Sequence, residues 1–259
     1  MPTLPLRIAI LECDTPLPSV VSKYGAYDRL FTQLLKAGAD SLSSSSSSPS
    51  YPGLSAASGL EITAFDVVTA QSYPRLEDVD ALLITGSKYN SFDNDPWILK
   101  LVEYTKQVLE QRRVRILGVC FGHQILARAM GVEVGRSEGG WEVSVVTMDL
   151  TSRGQEIFGK KSLAIHQMHR DAIFSYPEGV EGLASTSACS THAMYAKGRF
   201  ISVQGHPEFT REIMTEVLEA RHAQGVFSDE IYKSGSERVD RHQDGVVVAQ
   251  AFLKFLLED

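Results

Sequence analysis

Cys120 stands in the stretch Gly118-Val119-Cys120-Phe121-Gly122-His123-Gln124, between a run suited to a buried strand and a run suited to a helix. Residues 114–119 are apolar and β-branched enough for a core strand. Residues 124–130 have helix-forming composition and close on Gly131, a glycine C-terminal cap. A side chain at the apex of such a turn is held exposed on strained backbone, and flanking glycines let the chain pass tightly. The helix N-terminus beneath it favours thiolate over thiol, which makes Cys120 a nucleophile.

A nucleophile needs a base, and His206-Pro207-Glu208 follows a second apolar run at 200–203. Pro207 restricts His206 to extended geometry, and alternate residues of an extended segment share a face. Glu208 can therefore hold the His206 tautomer and stabilise the imidazolium formed when His206 takes the thiol proton. Together the three predict acyl transfer through a covalent intermediate. Taken singly, a cysteine after a strand is more often a buried small hydrophobe, and a histidine more often structural. Two independent patterns in a compatible order outweigh both bland readings.

The elements that must position these groups alternate along the chain. Residues 7–11 predict a short strand, and 27–36 a helix with Leu30, Phe31, Leu34 and Leu35 on one face. Strands are predicted at 60–68 and 80–84. Pro96 opens a helix to about residue 113 that turns Ile98, Leu99, Val102 and Val108 to the core. The result is an α/β fold with a doubly wound, mainly parallel sheet, whose chemistry gathers at the carboxyl ends of the strands. From 132 to 203 short strands with glycine-rich turns, including 143–146 and 192–196, predict a small antiparallel extension carrying the base strand. A final amphipathic helix is predicted at 241–257. The serine-rich stretch at about 41–59 lacks the apolar content to offset chain entropy and is expected to be a flexible surface insert. All of this fits one domain over residues 1–259.

The chain has 259 residues and a net charge of -7, which argues against nucleic acid or an anionic membrane as a main partner. Its three cysteines form neither a disulfide framework nor a paired metal spacing. His123, His192, His222 and His242 show no convincing ligand pairing, so no metal is expected. The opening residues lack a signal peptide's charged start and apolar core, and no apolar run reaches membrane-spanning length. A reactive cysteine also suits a reducing compartment, so a cytoplasmic location is expected.

Gly-Val-Cys-Phe-Gly-His-Gln followed by Gly-His-Pro-Glu resembles the class I glutamine amidotransferases, whose triad is Cys-His-Glu. The resemblance runs from about Ile8 to about Arg221. Within that family Tyr24-Gly25-Ala26-Tyr27-Asp28, Thr85-Gly86-Ser87 and Asp95-Pro96-Trp97 are similar to free-standing members, including plant γ-glutamyl peptidases and fungal relatives. It implies a flavodoxin-like domain that needs no cofactor and hydrolyses a small-molecule γ-glutamyl amide, either glutamine or a γ-glutamyl peptide. Cys120, His206 and Glu208 would be catalytic. The oxyanion would meet the backbone N–H of Phe121 and a second donor, Gly86 or Ser87, in the loop after the third strand. The family usually has glycine and proline at Ser87 and Lys88, a change that reshapes the pocket mouth and lets Lys88 meet a substrate carboxylate.

Gln124 resembles a position that contacts the substrate's α-amino acid end. His166-Gln167-Met168-His169-Arg170-Asp171 resembles a Ser-His-Gly-Asp stretch, which gives His169 and Asp171 a substrate-binding role despite Arg170 in place of a small residue. Other readings are an ammonia-supplying glutaminase for a separate synthase partner, or a non-catalytic regulator that keeps the fold. Cysteine-elbow chaperone and deglycase proteins resemble the elbow too, but are not expected to share His-Pro-Glu.

Overall fold

Strand and helix alternate because short continuous apolar runs, buried on both faces as strands, give way repeatedly to runs with helical spacing. The structure, a computed structural model, describes residues 4–44 and 51–258. The first half runs β1 (Leu6–Glu12), α1 (Pro18–Tyr24), α2 (Tyr27–Ser44), β2 (Leu60–Asp66), β3 (Ala81–Ile84), α3 (Pro96–Gln111), β4 (Arg115–Val119) and α4 (Phe121–Ala129). There follow β5 (Val134–Arg136), β6 (Glu142–Leu150), α5 (Ser152–Phe158), β7 (Ser162–His169), β8 (Asp171–Ile173), β9 (Glu181–Ser185), β10 (Ala193–Ala196) and β11 (Phe200–Val203). Helices α6 (Arg211–Ala223), α7 (Asp229–Ser236) and α8 (Gly245–Leu257) close the chain.

A nine-stranded sheet has the order β2-β1-β3-β4-β11-β10-β9-β6-β7, and β5 pairs with β8 in a separate ribbon. From β2 to β11 all neighbours are parallel, and beyond β11 they are antiparallel. The base strand β11 is thus the seam, parallel to β4 on one side and antiparallel to β10 on the other. The expectation that it belongs to the extension is corrected to this extent. Its four residues are all buried, a pattern that fits either partner direction.

Alternation along the central strands builds two cores. Ile8, Ile10, Leu83 and Leu117 face one layer with α2 and α8, while Ala9, Leu11, Leu82 and Ile116 face the other with α3 and α4. Helix α3 starts at Pro96 as expected, but Leu99 is 45% exposed and Leu101 takes its inward place. Helix α2 runs on to Ser44, into the stretch expected to be a loop. Beyond it Leu54 is 2% exposed in the core, and the Leu6 N–H donates to Gly59 O at 2.9 Å. The insert therefore packs at both flanks, while residues 45–50 of that expectation lie outside the described residues. Among the described residues no helix is long and apolar enough to cross a membrane.

Candidate active site

Two parallel neighbours at the centre of the sheet, β4 and β11, bring Cys120 and His206 together at their carboxyl ends. Their register aligns Val119 with Val203, and the Cys120 N–H donates to Val203 O at 2.9 Å. Cys120 has φ 51°, in a region costly for a residue with a side chain, at roughly 1–3 kcal/mol. Helix α4 begins at the next residue, and the Gly122 N–H donates to Thr85 O at 3.2 Å. A Cβ on Gly122 would stand 2.2 Å from Ile84 O, so only glycine lets α4 close on β3 here.

His206 is 4% exposed, and its Nδ1 donates to Glu208 Oε1 at 2.8 Å. Its backbone N–H donates to His166 O at 2.7 Å, and its ring stacks on Phe209 at 4.2 Å. Gly86 is wedged against both partners. A Cβ there would lie 2.7 Å from His206 Cε1 and 3.6 Å from Cys120 Cβ. Burial alone would lower the His206 pKa, but the adjacent Cys120 and Glu208 outweigh it and push it up to about 10. His206 is therefore an imidazolium at neutral pH. Glu208 Oε2 is buried with no hydrogen-bond partner among the described residues, so this carboxylate is committed to the imidazole.

Phe121 is the first residue of α4, and its N–H lies among the four that a helix leaves without an internal acceptor. Among the described residues, Phe121, Gly86 and Ser87 donate their N–H groups to no backbone carbonyl. The Ser87 hydroxyl is occupied, donating to Cys13 O at 2.8 Å. Lys88 is not free to meet a ligand carboxylate as expected. Its N–H donates to Asp14 Oδ2 at 2.9 Å, and its Nζ to Asp14 Oδ1 at 2.6 Å.

Gln124 is buried and engaged on three sides. Its amide donates to Asp171 O and Gln204 Oε1, each at 3.0 Å, and accepts from Ser91 Oγ at 2.8 Å. Asp171 pairs its carboxylate with Arg136 at 3.1 Å, and Arg170 swings away over the Trp141 ring at 5.1 Å. The structure thus joins Gln124 to the 169–171 segment through the Asp171 carbonyl, leaving their side chains with protein partners. His169 belongs to a cluster that sequence spacing conceals. Glu142 Oε2 lies 2.9 Å from His192 Nε2 and 3.3 Å from His169 Nε2, and donor atoms of all three lie within 4.8 Å of one another. Glu142 and His169 are register partners across β6 and β7, so the hairpin register was the one signal that could have revealed them. These imidazoles, despite burial, hold the Glu142 carboxyl well below the usual carboxylate range.

A cavity of about 420 Å³ opens beside His206 and Ser87, between the loop after β1 and helix α6. Cys120 itself is 5% exposed and lies behind the His206 that lines this cavity's wall.

Residues 55–223 match the family model described as glutamine amidotransferase class-I. A glutamine amidotransferase-like protein of Schizosaccharomyces pombe is 35% identical over 257 residues, covering 97% of this chain and 99% of the relative. Gamma-glutamyl peptidase 2 of Arabidopsis thaliana is 29% identical over 178 residues, covering 66% of this chain and 71% of its own length. Among solved structures, a glutamine amidotransferase from Thermotoga maritima superposes with a TM-score of 0.72 at 14% identity, covering 99% of this chain and 100% of that one.

Proposed function

The chain belongs to the class I glutamine amidotransferase family, and from that premise we propose that it hydrolyses a γ-glutamyl amide through Cys120, His206 and Glu208. The observation that carries the reading is the buried imidazole held between a cysteine on an elbow of positive φ and a committed carboxylate. Cys120 attacks the side-chain carbonyl as thiolate. The oxyanion is met by the Phe121 N–H together with Gly86 or Ser87. Collapse breaks the C–N bond, and the departing nitrogen takes the proton of the His206 imidazolium. A γ-glutamyl thioester remains on Cys120. Neutral His206 then takes a proton from water, hydroxide adds to the thioester, and glutamate and thiolate are released with His206 again protonated.

Glu208 fixes the Nδ1–H tautomer and leaves Nε2 for the reaction. Gln124, His169 and Asp171 are assigned to shaping the γ-glutamyl end, acting through the backbone and through each other rather than with free polar ends. The whole chain acts as one amidotransferase-like domain, and the named γ-glutamyl peptidase relatives favour a peptide or conjugate over glutamine as substrate. The test is release of glutamate by the purified chain from glutamine and a panel of γ-glutamyl peptides. Release from a peptide in the absence of any other protein supports the reading. Glutamine hydrolysis that appears only when a second protein is added would make the chain a glutaminase subunit instead.

A further inference from the structure

The cavity beside His206 has a chemistry that neither ammonia nor a γ-glutamyl group explains. His206 and Ser87 belong to its wall, so it borders the imidazole that must hand its proton to the departing nitrogen. The rest is mainly apolar, from Leu17 and Val20 on one side and Phe209, Ile213 and Val217 on the other. A volume of about 420 Å³ lies in the range of small-molecule pockets, far more than departing ammonia requires. A γ-glutamyl end carries an ammonium besides its carboxylate, and Asp14, the acid lining this cavity, is already taken by Lys88, so that ammonium would be stripped of water without return.

Besides the His206 imidazolium, two cations line the cavity, and they differ. Lys88 is neutralised by Asp14 at 2.6 Å. Arg221, on α6, is half-buried and has no carboxylate within 4.0 Å among the described residues. It offers a fork suited to a ligand carboxylate. Geometry fixes which part of the substrate enters. The nitrogen that leaves must be protonated at His206, so whatever is bonded to it continues into the space that His206 lines.

We propose that this cavity is the leaving-group subsite, and that it takes γ-glutamyl amides whose amine bears both a large apolar side chain and a carboxylate paired with Arg221. The inference rests on the γ-glutamyl hydrolase reading given above. Hydrolysis consumes one water and breaks one C–N bond, yielding glutamate and the apolar amino acid.

The test compares kcat/KM for γ-glutamyl-phenylalanine, γ-glutamyl-alanine, γ-glutamyl-phenethylamine and glutamine. The native chain should favour the phenylalanine amide over the alanine amide by about tenfold or more, the order that apolar contacts supply. Val217→Trp, which fills the cavity, should collapse that ratio towards one. Arg221→Gln should erase the advantage of the phenylalanine amide over the phenethylamine amide, which lacks the carboxylate, and should do so through KM. Equal rates on the phenylalanine and alanine amides, or an Arg221→Gln loss equal on both aromatic amides, would overturn the proposal. So would a Val217→Trp loss in equal proportion on all four substrates, because the cavity would then hold the γ-glutamyl end. Glutamine turnover with any of these results leaves the hydrolase reading standing. No turnover of any of the four, with Cys120 inert to a glutamine-like electrophile, would sink both.

Discussion

At Cys120, burial and activation pull in opposite directions, and the three cysteines of the chain show how they separate. All three are buried, but Cys13 and Cys189 have thiols pushed up by burial, whereas Cys120 sits at a helix start beside an imidazolium. A glutamine-like electrophile at neutral pH should therefore label Cys120 and spare the other two. Peptide mapping reads this, and equal labelling of all three would refute the activation. The His206 shift is upward, so its charge persists through neutrality and is lost only as pH climbs through about 10. The alkaline fall of kcat/KM should lie near there rather than near the ordinary histidine value. Glu208→Gln should move it to lower pH and cost less activity than His206→Ala, which should lose about 10²–10⁴-fold. A fall near the ordinary histidine value in the native chain would contradict the assignment. That Cys120, His206 and Glu208 come together was legible in the sequence because each signal is local: a strand running into a helix, and a proline between two polar residues. The Glu142–His169–His192 cluster was not, because only strand pairing brings its members together.

Elements built on periodicity were legible, and their packing partners less so. Helices α3, α4 and α8 overlap the segments that apolar spacing predicts, and α2 starts where expected but runs on to Ser44. Leu99 did not face the core, since Ile98, Leu101 and Val102 already make the inward stripe of α3. The serine-rich stretch misled for a different reason. Its composition is that of a loop, but Leu42 and Leu54 are buried in the core that α2 and α8 share, and Tyr51 packs against it. Leu54→Ala should lower stability by about 2–5 kcal/mol, the usual range for a buried leucine, which a thermal or urea melt would show. A change near zero would restore the view of 41–59 as an unpacked insert. Gly122→Ala tests the elbow at the same scale. Its Cβ would meet Ile84 O at 2.2 Å, so α4 must move, and both melting temperature and Cys120 labelling should fall. A variant with native stability and labelling would show that the close approach of α4 to β3 is dispensable.

For the molecule as a whole, the doubly wound sheet was legible from the alternation of strands and helices, while the seam at β11 was not. That seam matters to function. A parallel partner on one side aligns His206 with Cys120, and an antiparallel partner on the other joins the base strand to the rest of the sheet through β10. In the proposed reaction, the carboxyl ends of β4 and β11 carry the groups that cleave a γ-glutamyl amide. The role of Cys120 is decided by measuring glutamate released from glutamine and γ-glutamyl peptides by the purified chain and by Cys120→Ala, with no other protein present. Release from at least one γ-glutamyl peptide should show a higher kcat/KM than release from glutamine, and Cys120→Ala should lose several orders of magnitude. Glutamate release undiminished in a folded Cys120→Ala protein would contradict that role.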